Sequence, residues 1–181
     1  MAESTEETLK YTVTYLEMEA MPGRPLRPVP AGASLALMRV ETPPVHYFRY
    51  LYGTVGAEYE WSDAFQLSPE ALEVFVTDPK VEMFVLYRGG APAGFYQLDF
   101  RVRGVCDLAY FGLMPEAVGQ GIGPWLLDTA IGSAWSPQRD DAISKMTVNT
   151  CTLDHPSALA MYQRAGFVPV RRAERTRTAS G

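Results

Sequence analysis

The sequence predicts an α+β domain of mixed α/β element order, built around one central sheet. Its 181 residues fit one domain, 1–181, that is large enough to bury a core. The predicted elements follow the order two strands, two helices, three strands, helix, strand, helix, strand. We see no internal repeat in the chain. This order predicts a sheet of about six or seven strands flanked by about four helices.

The first half of the chain carries two strand patterns and two helix patterns. Strand-type residues with partial alternation predict strands at 11–18 and 34–41, joined by a proline-rich connector at 22–33. Aromatic and apolar residues recur at helical spacing within 45–56. The segment 68–78 opens with serine at the cap and proline at the first helical position, which predicts a second helix.

The second half is predicted to supply most of the sheet. Two apolar runs flank the sequence RGGAPA within 81–102 and predict a β-hairpin. The remaining predicted elements are strand 104–113, helix 123–135, strand 145–153, helix 155–166 and strand 167–172. The polar ends, 1–9 and 174–181, are expected to be flexible tails.

Composition and charge narrow the functional classes. The net charge of −5 argues against nucleic acid or an acidic membrane surface as the partner. No apolar run reaches the roughly 18 residues of a membrane span, and the acidic first residues do not resemble a signal peptide, so the cytoplasm is the expected compartment. Cys106, Cys151, His46 and His155 show no metal-ligand spacing, so we expect no metal site.

The segment FGLMPEAVGQGIGPWLLDTAIGSAW, residues 111–135, places Gly119, Gly121 and Gly123 between a predicted strand and a predicted helix. Glycines there allow a ligand to approach the free N–H groups of the helix start, which favour a phosphate. A tight turn that needs glycine for packing alone explains the same residues. From the loop by itself, both interpretations stay open.

Two other phosphate-binding loops do not fit this segment. The dinucleotide fingerprint G-x-G-x-x-G would need a third glycine at Pro124 or at Leu126, depending on where it begins. The P-loop needs Gly-Lys-Ser/Thr, and this tripeptide does not occur in the chain.

The sequence LMPEAVGQGIG (113–123) resembles the acetyl-CoA-binding motif of the GNAT superfamily of N-acetyltransferases, with Val118 where that family usually has Gln or Arg. A second motif, HPSALAMYQRAGF (155–167), is similar to the family's later Asn–x–x–Ala–x–x–x–Tyr–x–x–x–Gly–Phe pattern, with His155 in place of Asn. The resemblance implies a twisted, mostly antiparallel sheet that splays in a V at strand 104–113. It also implies acetyl-CoA as co-substrate and a primary amine as acceptor.

The resemblance assigns the cofactor-binding residues by position. The backbone N–H of Leu113 matches the group that holds the thioester carbonyl in the family. The residues implied to bind acetyl-CoA are Leu113, Met114, Val118, Gly119, Gln120, Gly121, Ile122, Gly123 and His155.

Two side chains are candidates for the chemistry. Tyr162 matches the family's tyrosine near the CoA sulfur, which implies a general acid; a tyrosine of the helix core is the alternative. Asp107 lies within an apolar strand and is a candidate general base, because burial would raise its pKa. Alternatively, Asp107 points outward, and a water chain then deprotonates the amine, as in family members without a protein base.

An acidic and aromatic cluster follows the first predicted helix. Glu60 and Trp61, with neighbouring Glu58, Tyr59 and Asp63, would suit a cationic amine. The candidate acceptor-site residues are Glu60, Trp61 and Tyr110. An ordinary solvated loop is the simpler explanation of the cluster. The resemblance also leaves a homodimer open.

Two other functions remain compatible with the sequence. One is an acyl-CoA-binding or regulatory module that has this fold but no turnover. The other is an interaction protein whose glycine turn is purely structural, which would bind no CoA.

Overall fold

The computed structural model describes residues 8–178, so the predicted tail residues 1–7 and 179–181 lie outside the described part. The strands are β1 (Thr8–Met18), β2 (Leu35–Val40), β3 (Val81–Arg88), β4 (Ala91–Asp99), β5 (Val105–Leu113), β6 (Lys145–Cys151) and β7 (Val168–Thr178). The α-helices are α1 (Val45–Gly56), α2 (Pro69–Thr77), α3 (Ile122–Ala134) and α4 (Ala158–Ala165). Short 3₁₀ turns occupy Ala57–Tyr59, Ala64–Gln66 and Pro115–Ala117.

The seven strands form one sheet in the order β2-β3-β4-β5-β6-β1-β7. Every neighbouring pair is antiparallel except β5 and β6, which are parallel. The predicted fold class, a mostly antiparallel sheet of six or seven strands with four α-helices, is confirmed for the described residues.

The two ends of the described chain belong to the sheet, contrary to the expectation of flexible tails. β1 is inserted between β6 and β7, and it pairs with β7 from Thr8↔Thr178 to Glu17↔Val168. Residues 8–9 and 174–178, which we expected in the tails, are therefore strand residues. Backbone pairing along β1 holds them, although their side chains are largely polar.

Local signals that the sequence showed fix two helix ends. The side chain of Ser68 accepts a hydrogen bond from the N–H of Ala71, 3.1 Å away, which confirms the predicted cap of α2. Gly166 ends α4 in the left-handed conformation, as predicted. α4 begins at Ala158, later than the predicted 155, because the three preceding residues form a turn.

The sheet separates two hydrophobic cores. α3 and α4 pack on one face, against residues such as Leu16, Leu98 and Val148. α1 and α2 pack on the opposite face, against Met83 and Phe95 of the β2–β5 half. The same face of β6, β1 and β7 carries no helix among the described residues, and we call it the open face.

The sheet splits between β5 and β6. These strands pair only from Val105↔Lys145 to Asp107↔Thr147, whereas β4 follows β5 as far as Leu113. The pairing of β4 with β5 shifts at Ala109, which is left without a partner as in a β-bulge. The V-shaped splay predicted at strand 104–113 is therefore confirmed, and it leaves a gap beside residues 108–113.

No helix of residues 8–178 is long and apolar enough to cross a membrane.

Candidate active site

A cavity of about 730 Å³ occupies the gap and reaches both faces of the sheet. Its lining includes Phe111 and Tyr162 from the α3/α4 side and Tyr110 from the α1/α2 side. Because the strands part only here, a ligand bound on one face can meet a second ligand bound on the other. This arrangement suits a transfer reaction between two substrates.

The glycine loop forms one wall of the cavity. Gly119 (φ 78°) and Gly121 (φ 75°) adopt the left-handed conformation, and a Cβ built on either would meet no atom within 4 Å. Gly121 is the N-cap of α3, no side chain caps this helix, and its first turn contains no acidic residue. The loop is thus an open cradle at the positive end of a helix, which fits the pyrophosphate of CoA.

The structure separates the predicted cofactor residues into two groups. The cavity is lined by Leu113, Val118, Gly119, Gly121, Gly123 and His155. Met114, Gln120 and Ile122 do not line it, since Met114 and Ile122 are buried in the two cores. The Gln120 amide accepts a hydrogen bond from Arg88 and donates one to the Glu116 carbonyl, 2.6 Å away.

The backbone N–H of Leu113 points into the gap. The next N–H, that of Met114, donates to the Ala93 carbonyl of β4 at 2.9 Å. Successive N–H groups of extended backbone point to opposite edges, so the N–H of Leu113 faces away from β4. Its direction fits the predicted contact with a thioester oxygen.

Tyr162 lies on α4 between Phe111 and Phe167, with ring centroids 6.2 and 6.0 Å away. The residue is 6% exposed and lines the cavity, and its hydroxyl has no hydrogen-bond partner among the described residues. Burial, followed by the nearby charge of Asp154, raises the pKa of Tyr162. The phenol therefore keeps its proton at neutral pH.

Asp107 lies outside the cavity lining. It belongs to the last paired stretch of β5 and β6, where its carboxylate accepts a 2.5 Å hydrogen bond from the Thr147 hydroxyl. Burial raises the pKa of Asp107, as expected from its apolar strand. However, the gap opens only beyond this residue, so its position does not fit the expected role of general base.

Two tyrosines share the carboxylate of Asp63 on the α1/α2 side of the cavity. The Tyr52 hydroxyl donates to one oxygen at 2.5 Å and the Tyr110 hydroxyl to the other at 2.8 Å. Desolvation by burial, strengthened by Asp63, raises the pKa of both tyrosines. This network fixes the predicted acceptor-site residue Tyr110 at the cavity wall.

Trp61 and Glu60 are held by partners from the other half of the sheet. The indole N–H of Trp61 donates to Asp154 at 3.2 Å. Arg177 of β7 donates to the Glu60 backbone carbonyl and pairs with its carboxylate at 3.2 Å. Glu60 is the one non-glycine residue of the described chain with positive φ, 58°, so these contacts hold a strained backbone at the cavity wall.

The comparison with protein families settles the classification. The model of the acetyltransferase (GNAT) family matches residues 46–167. The chain belongs to the GNAT acetyltransferase family. No curated protein sequence matches the chain.

Solved GNAT proteins share the fold at low sequence identity. The chain is similar to a GCN5-related N-acetyltransferase from Kribbella flavida, with 18% identity, a TM-score of 0.57 and coverage of 94% of this chain and 59% of that one. It is also similar to a tandem GNAT protein of the clavulanic acid biosynthesis pathway, with 17% identity, a TM-score of 0.58 and coverage of 95% and 54%. An aminoglycoside acetyltransferase from an uncultured soil metagenomic sample matches with 17% identity, a TM-score of 0.55 and coverage of 73% and 87%. The chain thus spans 59% and 54% of the first two GNAT proteins.

The open face contributes cavity residues that the sequence did not single out. Tyr15 of β1, Asn149 of β6 and Arg175 of β7 line the cavity. Alternation along β1 and β7 places Tyr15 and Arg175 on the same face, and this period of two was a signal available in the sequence. Their convergence with β6 depends on the insertion of β1, which the sequence pattern does not reveal.

Among residues 8–178, no three histidine, cysteine, aspartate or glutamate side chains lie close enough together to hold a metal ion.

Proposed function

We propose that this GNAT protein transfers the acetyl group of acetyl-CoA to a primary amine by direct attack within a ternary complex. The observation that carries the proposal is the gap between β5 and β6. The gap connects the glycine cradle on one face of the sheet with the acidic and aromatic wall on the other, which consists of Glu60, Trp61, Asp63 and Tyr110. Its two openings suit two substrates that meet at the split.

The residues present fit acetyl-CoA. The cradle of Gly119 and Gly121, with the uncapped start of α3, would take the pyrophosphate through backbone N–H groups. Val118 lines the cavity but has no polar side chain, so the contact with the pyrophosphate would rely on backbone N–H groups. Phe111 and Met161 would flank the pantetheine arm.

Two groups of this chain would act on the reacting atoms. The N–H of Leu113 would stabilise the negative charge that develops on the thioester oxygen as the amine nitrogen bonds to the carbonyl carbon. When the carbon–sulfur bond breaks, Tyr162 would give its proton to the leaving thiolate. Burial raises the pKa of Tyr162, so the phenol is protonated when the thiolate forms, while the same shift makes the phenol a weaker acid. The support for this role is therefore the position of Tyr162 at the cavity wall beside Phe111.

Deprotonation of the amine would not use a protein carboxylate. The three carboxylates that line the cavity, those of Glu60, Asp63 and Asp154, already bind partners of the chain. Asp154, for example, accepts from the Thr150 hydroxyl at 2.7 Å and from the Cys151 N–H at 2.8 Å. We propose that water takes the proton and that these carboxylates favour a cationic acceptor near the gap.

Tyr162→Phe tests the proposal. Turnover is measured with a screened set of amines as the release of free thiol from acetyl-CoA. We expect it to fall by about 10²-fold or more, since loss of a general acid costs that much. Binding of acetyl-CoA in calorimetry should stay within about twofold of wild type. Unchanged turnover would remove Tyr162 from the chemistry. Tight acetyl-CoA binding without acetylation of any amine would favour an acyl-CoA-binding module.

A further inference from the structure

The open face combines positive charge with aromatic side chains at the mouth of the cavity. Tyr11, Tyr15 and Arg175 alternate along β1 and β7 on this face, next to Asn149 of β6. The guanidinium of Arg171 stacks 3.8 Å from the centre of the Tyr15 ring. The chain as a whole is acidic, with a net charge of −5, so a basic surface here is a local feature.

Arg175 has no carboxylate partner among the described residues. Two other cations of this face differ, because Arg177 pairs with Glu60 and Lys145 pairs with Glu17 at 2.6 Å. Arg171 has no carboxylate partner among residues 8–178 either, but it stacks on the Tyr15 ring. The proximity of Arg175, and then of Arg171, lowers the pKa of the Tyr15 hydroxyl. Arg175 therefore lies near a hydroxyl and, within the described chain, not near a carboxylate, which keeps its charge available to a ligand.

We propose that Arg175, Tyr15 and Asn149 form a subsite for a carboxylate of the acceptor, so that the acceptor is an amine that also carries a carboxylate. This inference rests on the proposed acetyl transfer to an amine. The guanidinium of Arg175, beside a hydroxyl and an amide, matches a planar carboxylate, which arginine binds through two parallel hydrogen bonds. Arg171 stacks on the Tyr15 ring and adds positive charge next to this group. The carboxylate of Asp63, which lies across the gap on the α1/α2 side and binds Tyr110, favours the ammonium end.

Strand spacing sets the length of the acceptor. β1 and β7 lie one and two strands from β6, about 5 and 10 Å from the edge of the gap. A carboxylate bound beside Tyr15, between Asn149 of β6 and Arg175 of β7, lies about one strand spacing of 5 Å from the edge of the gap. This is farther from the reacting amine than the carboxylate of a free α-amino acid is from its own ammonium. Two extended residues span at most about 7 Å. We therefore infer an acceptor whose amine and carboxylate are separated by about the length of a dipeptide.

The test measures binding to the CoA-saturated protein by calorimetry, so that no turnover is required. The ligands are dialanine and its C-terminal amide, which differ only in the negative charge. We expect wild type to bind the acid about tenfold more tightly or better, since a hydrogen bond to a charged group commonly contributes that much. Arg175→Gln should abolish this preference, and Tyr15→Phe should reduce it.

Arg172→Gln is the matched control. Arg172 is an exposed arginine of the same strand that alternation places on the opposite face, outside the cavity lining, and it should leave the preference unchanged. Equal binding of acid and amide, absence of binding by both, or a preference that survives Arg175→Gln would overturn the inference. Failure of the proposed function itself would appear separately, as absence of acetyl-CoA binding or as acetyl-CoA binding without acetylation of any amine.

Discussion

At the scale of single residues, the structure separates burial from function. Asp107 and Tyr162 are both titratable groups in apolar surroundings, and burial raises the pKa of each. Only Tyr162 lines the cavity, because Asp107 precedes the point where β5 and β6 part. A carboxylate in an apolar strand was therefore a sound signal of burial and a weak signal of catalysis.

Asp107→Asn tests this distinction. We expect kcat to change by far less than the roughly 10²-fold loss that removal of a general base would cause. Because the pKa of Asp107 is raised above 3.8 in the folded protein, its ionisation lowers stability as pH rises from 3.8 through the folded value. At neutral pH, thermal denaturation should thus find the variant at least as stable as wild type. A large loss of kcat with an intact fold would restore Asp107 as the base.

The pH dependence of catalysis tests the absence of a protein base. If water accepts the proton, kcat/KM should rise about tenfold per pH unit up to the pKa of the acceptor amine, which is about 7.7–8.0 for a peptide α-amino group. An acceptor with a more basic amine should shift the profile upwards by the difference in pKa. If kcat/KM instead stops rising at the same pH for both amines, a titrating group of the protein controls the profile.

At the scale of secondary-structure elements, the sequence predicted those helices and helix ends that depend on residues close together in the chain. α1 was found at its predicted bounds because its aromatic residues recur at helical spacing, and the Ser-Pro start fixed α2. The insertion of β1 between β6 and β7 was not predictable, because strand order depends on pairing between distant segments. Residues 174–178 escaped detection as a strand because they lack an apolar face.

The glycine loop should act through its backbone. Gly121→Val introduces a β-branched side chain at φ 75° and into the space of the cradle. We expect acetyl-CoA binding to weaken by at least about tenfold in calorimetry. Gly32→Ala is the control, because Gly32 has a similar φ of 74° and open surroundings but lies in the proline-rich connector. The Gly32→Ala variant should carry the strain of positive φ without loss of affinity for acetyl-CoA. Equal losses of affinity in both variants would contradict the role of the glycine loop as a phosphate cradle.

The connector between β1 and β2 is fastened to α3 by one buried carboxylate. Asp128, fully buried, accepts hydrogen bonds from the side chains of Arg24 and Arg27 at 2.6 to 2.8 Å and from the Arg27 backbone at 3.0 Å. Desolvation works against ionisation, but the bonds from Arg24 and Arg27 outweigh it and lower the pKa of Asp128. The contact thus ties the connector to the helix that begins at the glycine loop.

Asp128→Asn should cost about 1.5–3 kcal/mol at neutral pH, the range for hydrogen bonds to a charged group. Since the folded pKa lies below 3.8, the stabilisation is present above that value and is lost as pH falls through the folded pKa. Urea denaturation of wild type and variant at pH 7 and at pH 3 measures both effects. The difference between them should shrink in acid, and a difference independent of pH would exclude the ion pairs as its source.

At the scale of the whole molecule, the split sheet organises the proposed reaction. The α3/α4 face presents the cradle and Tyr162, and the other face presents the acidic wall and the arginines of β7. The two GNAT motifs predicted the first face, because its contacts follow a local pattern along the chain. The second face is formed by β1, β6, β7 and the segment after α1, which are far apart in the chain, so no single stretch of sequence predicts it.

Titration of the purified protein with acetyl-CoA in a calorimeter tests the central claim most directly, with NAD as the control ligand. We expect micromolar binding of acetyl-CoA, no heat with NAD, and a rise in melting temperature that grows with acetyl-CoA concentration, because a ligand that binds only the folded state stabilises it. Absence of both heat and thermal shift with acetyl-CoA would mean that the glycine loop is only a turn, and it would contradict the proposed acetyl transfer.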